Sequence, residues 1–241
     1  MKVAICLRGG VSSINSTFSN SKKEYVDYVG CFNSIIKHIV NCNSHDFSFY
    51  LQSWEIPIQK ELINIYNPKK YLFEDNSLYT EYISSLCKNE SDFGGVSQAL
   101  AIKKAINLID ENYDLIIIYR PDVILLKDIN LNLYDKNKIY CNAHEDANGD
   151  FHFIMNQDNA NIFKNLIDSI SLGNFHKPHF WIKNYVIKYM NSNIYNDDII
   201  PGLHQEVLRK VVDTTLSIHK VDINVFSNYG INLSELKKYK T

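Results

Sequence analysis

An apolar run near the middle of the chain, Leu115–Tyr119, lacks the alternation of apolar and polar side chains that is typical of a half-buried strand. Unbroken apolar strands occur where helices cover both faces of a sheet, as in parallel sheets. Pro121 follows directly after Arg120 and ends the strand, because proline has no N–H to donate to the ladder. The segment therefore predicts an α/β fold around a mostly parallel sheet.

Apolar strands and amphipathic helices alternate on either side of this segment, and the pattern after residue 160 is mainly helical. No repeat or linker divides the chain, so one domain over residues 1–241 is expected. Further strands are predicted at Val3–Leu7, Phe47–Trp54, Lys70–Phe73, Lys138–Ala143, Phe151–Met155 and Val221–Phe226. Helices are predicted at Tyr25–Ile39, Ile56–Tyr66, after Gly94-Gly95 with Ser97 and Gln98 in the first turn, and at Ile162–Ile170, Phe180–Met190 and Leu203–Val212.

The net charge narrows the class of partner, and the cysteine content narrows the cellular compartment. The net charge of −2 gives no general attraction to nucleic acid or to an anionic membrane, so no nucleic-acid partner is expected. Five scattered cysteines suit reduced thiols in a cytoplasmic protein better than a disulfide scaffold. The opening apolar run ends at Arg8 and is too short for a signal peptide, and no segment reaches membrane-spanning length. A cytoplasmic protein without a transmembrane segment is expected.

Arginine is rare in this chain, which has three among 25 basic residues, and two of them follow apolar strands. Arg8 and Arg120 would lie at the carboxyl ends of parallel strands, where α/β proteins bind ligands. A guanidinium binds phosphate through two parallel hydrogen bonds, and Gly9-Gly10 would let backbone N–H groups approach a phosphate or sugar. The alternative is a salt bridge and a tight turn at the sheet edge.

Arg120-Pro121-Asp122 holds a cation and a carboxylate at the end of the central strand. The carboxylate could bind a sugar hydroxyl, bind a divalent metal or orient Arg120. The alternative is an Arg–Asp pair that only shapes a turn.

These features together resemble a group of bacterial and viral polysaccharide-type glycosyltransferases with a GT-A-like fold. The matching segments are Phe49–Glu55 around Trp54, Ser97-Gln98, and Tyr113–Val123 with its Arg-Pro-Asp motif. The resemblance covers most of residues 1–160, which would bind a nucleotide sugar, and leaves residues 161–241 as a helical acceptor side. It implies that Trp54, Ser97 and Gln98 belong to the substrate site, although Trp54 could equally be a core residue.

The resemblance also implies roles for three carboxylates. Asp122 takes the position of the family's Asp-x-Asp metal ligand, but Arg120 stands where the first carboxylate would be, so Mn²⁺ or Mg²⁺ is only a possible cofactor. Asp150 is the first candidate for the base that accepts the acceptor's proton, and Glu206 is the second. Asp150 could instead be a turn residue in Asn148-Gly149-Asp150, and Glu206 a solvated helix position.

The sequence thus predicts transfer of a sugar from a nucleotide-diphosphosugar to a hydroxyl of a glycan. A non-catalytic protein that binds a glycan or nucleotide is the alternative, kept open by the missing Asp-x-Asp. A nucleotidyltransferase is less favoured, because it would need two metal-binding carboxylates beside a glycine-rich loop.

Overall fold

A seven-stranded sheet forms the centre of the fold. The computed structural model describes residues 1–10, 28–54, 56–125, 127–144, 147–172, 178–190, 194–197 and 205–207. The strands are β1 (Lys2–Leu7), β2 (Asp46–Ser53), β3 (Lys70–Phe73), β4 (Leu115–Tyr119), β5 (Val123–Leu125), β6 (Ile139–His144), β7 (Ala147–Met155), β8 (Ile194–Asp197) and β9 (Gln205–Val207).

The α-helices are α1 (Tyr28–Ile35), α2 (Gln59–Tyr66), α3 (Thr80–Leu86), α4 (Phe93–Asn107), α5 (Gln157–Phe163) and α6 (Pro178–Tyr189). A π-helical turn over Ile36–Val40 continues α1, and 3-10 segments lie at Ile56–Ile58, Asn76–Tyr79, Glu90–Asp92, Leu131–Leu133 and Leu166–Leu172. Among the helices in the described part of the chain, none combines the length and apolar character needed to cross a membrane.

The strand order in the main sheet is β3-β2-β1-β4-β7-β6-β8. Strands β1 to β4 pair in parallel, β7 runs antiparallel to β4 and β6, and β8 pairs in parallel with β6. The predicted α/β fold with a mostly parallel sheet is therefore confirmed. The chain moves from β1 to β2 and β3 on one side, and then places β4 on the other side of β1. This reversal falls between β1 and β4, and the carboxyl ends of the strands at such a switch point are where α/β proteins bind ligands.

Two apolar layers cover the sheet and explain the unbroken apolar run of β4. Ile116 and Ile118 belong to the layer that includes residues of α4 and α6, whereas Leu115 and Ile117 belong to the layer that includes residues of α1 and α2. Every residue of β4 is at most 1% exposed. Since successive side chains of a strand point to opposite faces, a strand covered on both faces needs apolar residues at every position.

Helix α4 begins earlier than its sequence pattern predicts. The carboxylate of Asp92 accepts hydrogen bonds from the backbone N–H groups of Lys88 and Asn89, and the helix starts at the next residue. Gly94-Gly95 consequently lies inside α4, although glycine costs about 1 kcal/mol relative to alanine in a helix. Ser97 and Gln98 are therefore in the second turn and not in the first.

One alternative and two further expectations about local structure were wrong. The alternative that Asn148-Gly149-Asp150 forms a turn does not hold, because β7 is continuous from Ala147. Residues 205–207 are not helical: β9 pairs antiparallel with β5, with Glu206 opposite Ile124. The predicted helix over Ile162–Ile170 is instead the end of α5 followed by the Leu166–Leu172 segment. The strand predicted at Val221–Phe226 lies outside the described residues.

Candidate functional site

Arg8 follows β1 directly and lies against the ends of β4 and β7. Its backbone N–H donates to the carbonyl of Tyr119 at 3.0 Å, which extends the β1–β4 pairing by one residue. Its Nη2 donates to the backbone carbonyl of Asp150 at 2.5 Å, and the residue is 4% exposed. The end of β1 is therefore fixed to β7 across the end of β4.

Gly9 makes the turn out of β1 with φ = +96°, a conformation that L side chains rarely adopt. A Cβ at this position would meet nothing within 4 Å, so the backbone angle and not the available space calls for glycine. The N–H of Gly9 donates to Oε1 of Gln52 at 3.0 Å. Gln52 is fully buried near the end of β2 and holds the first glycine of the loop in place.

Gln52 is a site residue that the sequence interpretation missed. The available signal was a glutamine next to the end of an otherwise mostly apolar strand, where a buried amide needs hydrogen-bond partners. Gly10 follows as a half-buried residue, after which the described chain resumes at residue 28.

Arg120-Pro121-Asp122-Val123 forms a turn between β4 and β5. The N–H of Val123 donates to the carbonyl of Arg120 at 3.3 Å, and proline occupies the second turn position, which favours its fixed φ. The Tyr119 hydroxyl donates to the carbonyl of Val123 at 3.1 Å and ties the two strands together. The motif forms a turn, and the same turn places the side chains of Arg120 and Asp122 side by side. A role in shaping the turn is therefore compatible with a role in binding a ligand.

Within this turn, Arg120 binds Asp122 through two parallel hydrogen bonds. Nε donates to Oδ1 at 3.0 Å, and Nη2 donates to Oδ2 at 2.9 Å. Asp122 is 1% exposed, while 15% of the Arg120 side chain remains exposed. The guanidinium also lies 5.3 Å from the centre of the Phe151 ring, within the range of a cation–π contact.

Asp150 connects β7 to both β4 and α4. Its Oδ2 accepts a hydrogen bond from Nε2 of Gln98 at 2.8 Å and a longer one from Nη1 of Arg120 at 3.3 Å. The residue is 8% exposed. The predicted residues Arg8, Gln98, Arg120, Asp122 and Asp150 are thus brought together at one edge of the sheet, beside Gly9.

The charges of this cluster balance, because two guanidinium groups face two carboxylates. Burial by itself would lower the pKa of Arg120, but the charges of Asp122 and Asp150 and their hydrogen bonds outweigh it and raise the pKa above its ordinary value. Arg120 is consequently charged at neutral pH. A neutral cluster with a permanently charged arginine can bind an anion through the donors that the carboxylates leave unused.

A divalent cation does not fit the described residues as they are arranged. Mg²⁺ and Mn²⁺ need several oxygen ligands, but both oxygens of Asp122 already accept from Arg120. Nor does the described part of the chain contain a group of three or more His, Cys, Asp or Glu residues that could hold a metal ion. The role of Asp122 as a metal ligand remains a prediction that this geometry does not favour.

The remaining predicted site residues are Trp54, Ser97 and Glu206. Trp54 follows β2, packs against the core and lies 5.8 Å from the ring of Tyr79. Ser97 is 9% exposed on α4, one residue before Gln98. Glu206 lies on β9 and pairs with Ile124 of β5. Ile124 is two residues after Asp122 in the sequence. Their roles in binding or catalysis remain predictions.

Neither a family model nor a curated protein matches this sequence. Solved structures of glycosyltransferases do match its fold. The apo structure of the WbbM bifunctional glycosyltransferase covers 100% of this chain with a TM-score of 0.54 and 13% identity, and this chain spans about half (51%) of that protein. Apo mouse xyloside xylosyltransferase 1 covers 82% of this chain, and 84% of its own chain, with a TM-score of 0.44 and 7% identity. The likeness to WbbM shows that the fold is GT-A-like.

Proposed function

We propose that this protein is a glycosyltransferase of polysaccharide biosynthesis that moves a sugar from a nucleotide-diphosphosugar to a hydroxyl of a glycan. The observation that carries the proposal is the convergence of Arg8, the Gly9 turn, Arg120 and Asp150 at the carboxyl ends of β1 and β4. On a glycosyltransferase-like fold, this is the edge of the sheet at which a donor would bind. A fold alone does not determine a reaction, so the chemistry must come from these side chains.

The donor's diphosphate is expected to lie over the Gly9-Gly10 loop between the two arginines. The positive φ of Gly9 turns the chain without a side chain in the way, so the loop backbone can approach a phosphate closely. Arg8 and Arg120 would stabilise the charge that develops on the diphosphate as it leaves. Catalysis would then consist of positioning and of preorganised electrostatics around an oxocarbenium-like transition state.

Asp150 is better placed than Asp122 to act on the acceptor hydroxyl. Asp122 is 1% exposed and accepts from Arg120 at 3.0 and 2.9 Å, whereas Asp150 is 8% exposed and its contact with Arg120 is longer, at 3.3 Å. A general base must come within hydrogen-bond reach of the proton it accepts. We therefore assign the base to Asp150 and keep Glu206 as the second candidate.

A panel of nucleotide sugars tests this proposal, with release of the nucleoside diphosphate as the readout in the presence and absence of oligosaccharide acceptors. Asp150→Asn should lower turnover by a factor of about 100 or more, the usual contribution of a general base. The matched control is Asp158→Asn, an exposed carboxylate in the first turn of α5 that should change nothing. Unchanged turnover in Asp150→Asn would remove Asp150 from the mechanism.

One observation favours a second candidate, a non-catalytic protein that binds a nucleotide or a glycan. Both carboxylates of the cluster are hydrogen-bonded to Arg120, which is also what a purely structural ion network would show. Binding of a nucleotide sugar without any turnover, across the whole panel of acceptors, would support this candidate over the transferase.

A further inference from the structure

We infer that the guanidinium of Arg120 takes the place of a divalent cation beside the donor's diphosphate, so that the nucleotide binds without metal. Asp122 is then a positioning residue for Arg120 and not a metal ligand. This inference rests on the proposed function, because it concerns the diphosphate of the same donor. It differs from the expectation that Asp122 would hold Mn²⁺ or Mg²⁺.

Arg120 and Asp122 form a fork, in which two N–H groups of the guanidinium donate to the two oxygens of one carboxylate. Its two hydrogen bonds, at 3.0 and 2.9 Å, occupy one site on each oxygen of a carboxylate that is 1% exposed. A metal bound to Asp122 would have to replace this fork or crowd against it. Displacing Arg120 would leave a largely buried guanidinium without its nearest counter-charge, which is strongly unfavourable.

The guanidinium of Arg120 lies between two carboxylates. Nη1 of Arg120 donates to Oδ2 of Asp150 at 3.3 Å, while Nε and Nη2 donate to the two oxygens of Asp122. A cation that bridged Asp122 and Asp150 would therefore need the space that the guanidinium already fills. A second positive charge there would be repelled, since the charge of Arg120 is permanent.

Arg120 still has N–H donors to offer a ligand. A guanidinium carries five N–H groups, and the contacts to the two carboxylates use three of them. The side chain of Arg120 is 15% exposed, so it is not fully closed off from solvent. The remaining N–H groups suit a phosphate oxygen, and the carboxylates and the Phe151 ring keep the group in a fixed orientation.

Calorimetric titration of the purified protein with UDP, GDP, CDP, ADP and dTDP, each in EDTA and in Mn²⁺, tests the inference. We expect one nucleotide to bind in EDTA with a Kd within about threefold of its value in Mn²⁺, a difference well under 1.4 kcal/mol. Binding that requires Mn²⁺, or improves with it by about tenfold or more, would overturn the inference and leave the proposed function standing. Binding of no nucleotide in either condition would overturn both.

Three variants of the pair separate positioning from metal binding. Arg120→Met, of similar length but uncharged, should weaken nucleotide binding by more than about tenfold. Arg120→Lys keeps the charge and should therefore bind the nucleotide better than Arg120→Met but less well than the wild type. Asp122→Asn keeps one acceptor oxygen for Arg120, so it should weaken binding equally in EDTA and in Mn²⁺. A loss confined to the Mn²⁺ condition would identify Asp122 as a metal ligand and contradict us.

If a variant does not fold, electron paramagnetic resonance of Mn²⁺ mixed with the wild-type protein still decides the matter. The Mn²⁺ signal should remain that of the free ion in the presence and in the absence of the nucleoside diphosphate. The nucleoside diphosphate is added at a concentration at which it does not bind Mn²⁺ appreciably without the protein. A stoichiometric loss of the free-ion signal that depends on the protein would overturn the inference.

Discussion

Removal of the Asp122 carboxylate should destabilise the protein as well as impair its activity. In Asp122→Ala the guanidinium of Arg120 loses two hydrogen bonds and its nearest negative charge. What remains is the longer contact to Asp150 at 3.3 Å and the ring of Phe151. The side chain of Arg120 is only 15% exposed, so water replaces little of what is lost.

The size of the effect follows from this burial. Breaking a buried ion pair by removing one partner costs about 3–5 kcal/mol. Because Asp150 stays in place and Arg120 has some access to water, we expect the low end, about 3 kcal/mol. A chain of this size loses about 2–4 °C in Tm for each kcal/mol, which corresponds to a decrease of about 6–12 °C.

Urea denaturation followed by circular dichroism measures the change in the free energy of unfolding. The double variant Asp122→Ala/Arg120→Met should be more stable than Asp122→Ala alone, because it no longer buries an unpaired charge. The exposed control Asp158→Ala should stay within about 0.5 kcal/mol of the wild type. A loss below about 1 kcal/mol in Asp122→Ala, or no recovery in the double variant, would refute the reasoning.

The other predictions concern the loop after β1 and the opposite edge of the sheet. Gly9→Ala should cost about 1–3 kcal/mol through strain at φ = +96°, measured as a lower urea midpoint; an unchanged midpoint would contradict it. Gln52→Leu leaves the Gly9 N–H without its acceptor and should weaken nucleotide binding in calorimetry, whereas equal affinity would show that the loop needs no such support. Hydrogen bonds from Lys2 and Lys69 lower the pKa of Glu111 from 4.5 to about 2, so its stabilising contribution is present above pH 4.5 and lost as the pH falls through about 2. Glu111→Gln should therefore lose less stability than the wild type between pH 5 and pH 2, and parallel pH profiles would contradict this.

The parts of the fold that could be predicted depend on local patterns. Leu115–Tyr119 identified the central strand because burial on both faces requires apolar residues at every position, and Lys70–Phe73 has the predicted bounds. The cluster of Arg8, Arg120 and Asp122 followed from the same pattern, since residues after parallel strands meet at one edge.

The parts that could not be predicted depend on partners distant in sequence. Residues 205–207 carry a helical pattern, but pairing with β5 about 80 residues earlier makes them a strand. Asn148-Gly149-Asp150 has turn chemistry, yet its place beside β6 makes it part of β7. The function of Gln52 depends on the N–H of Gly9, 43 residues away, and nothing in its own strand specifies that contact.

We propose above that a nucleotide sugar binds at the carboxyl ends of β1 and β4 through Arg8 and its neighbours. A thermal-shift screen against nucleotides and nucleotide sugars, run on the wild type and on Arg8→Lys, tests it most directly. A ligand at about 100 times its Kd adds about 2.7 kcal/mol to the free energy of unfolding, so one nucleotide family should raise the Tm of the wild type clearly. The same ligands should shift Arg8→Lys much less, because lysine lacks the planar fork. No shift with any ligand from a folded sample, or an equal shift in both proteins, would contradict the account.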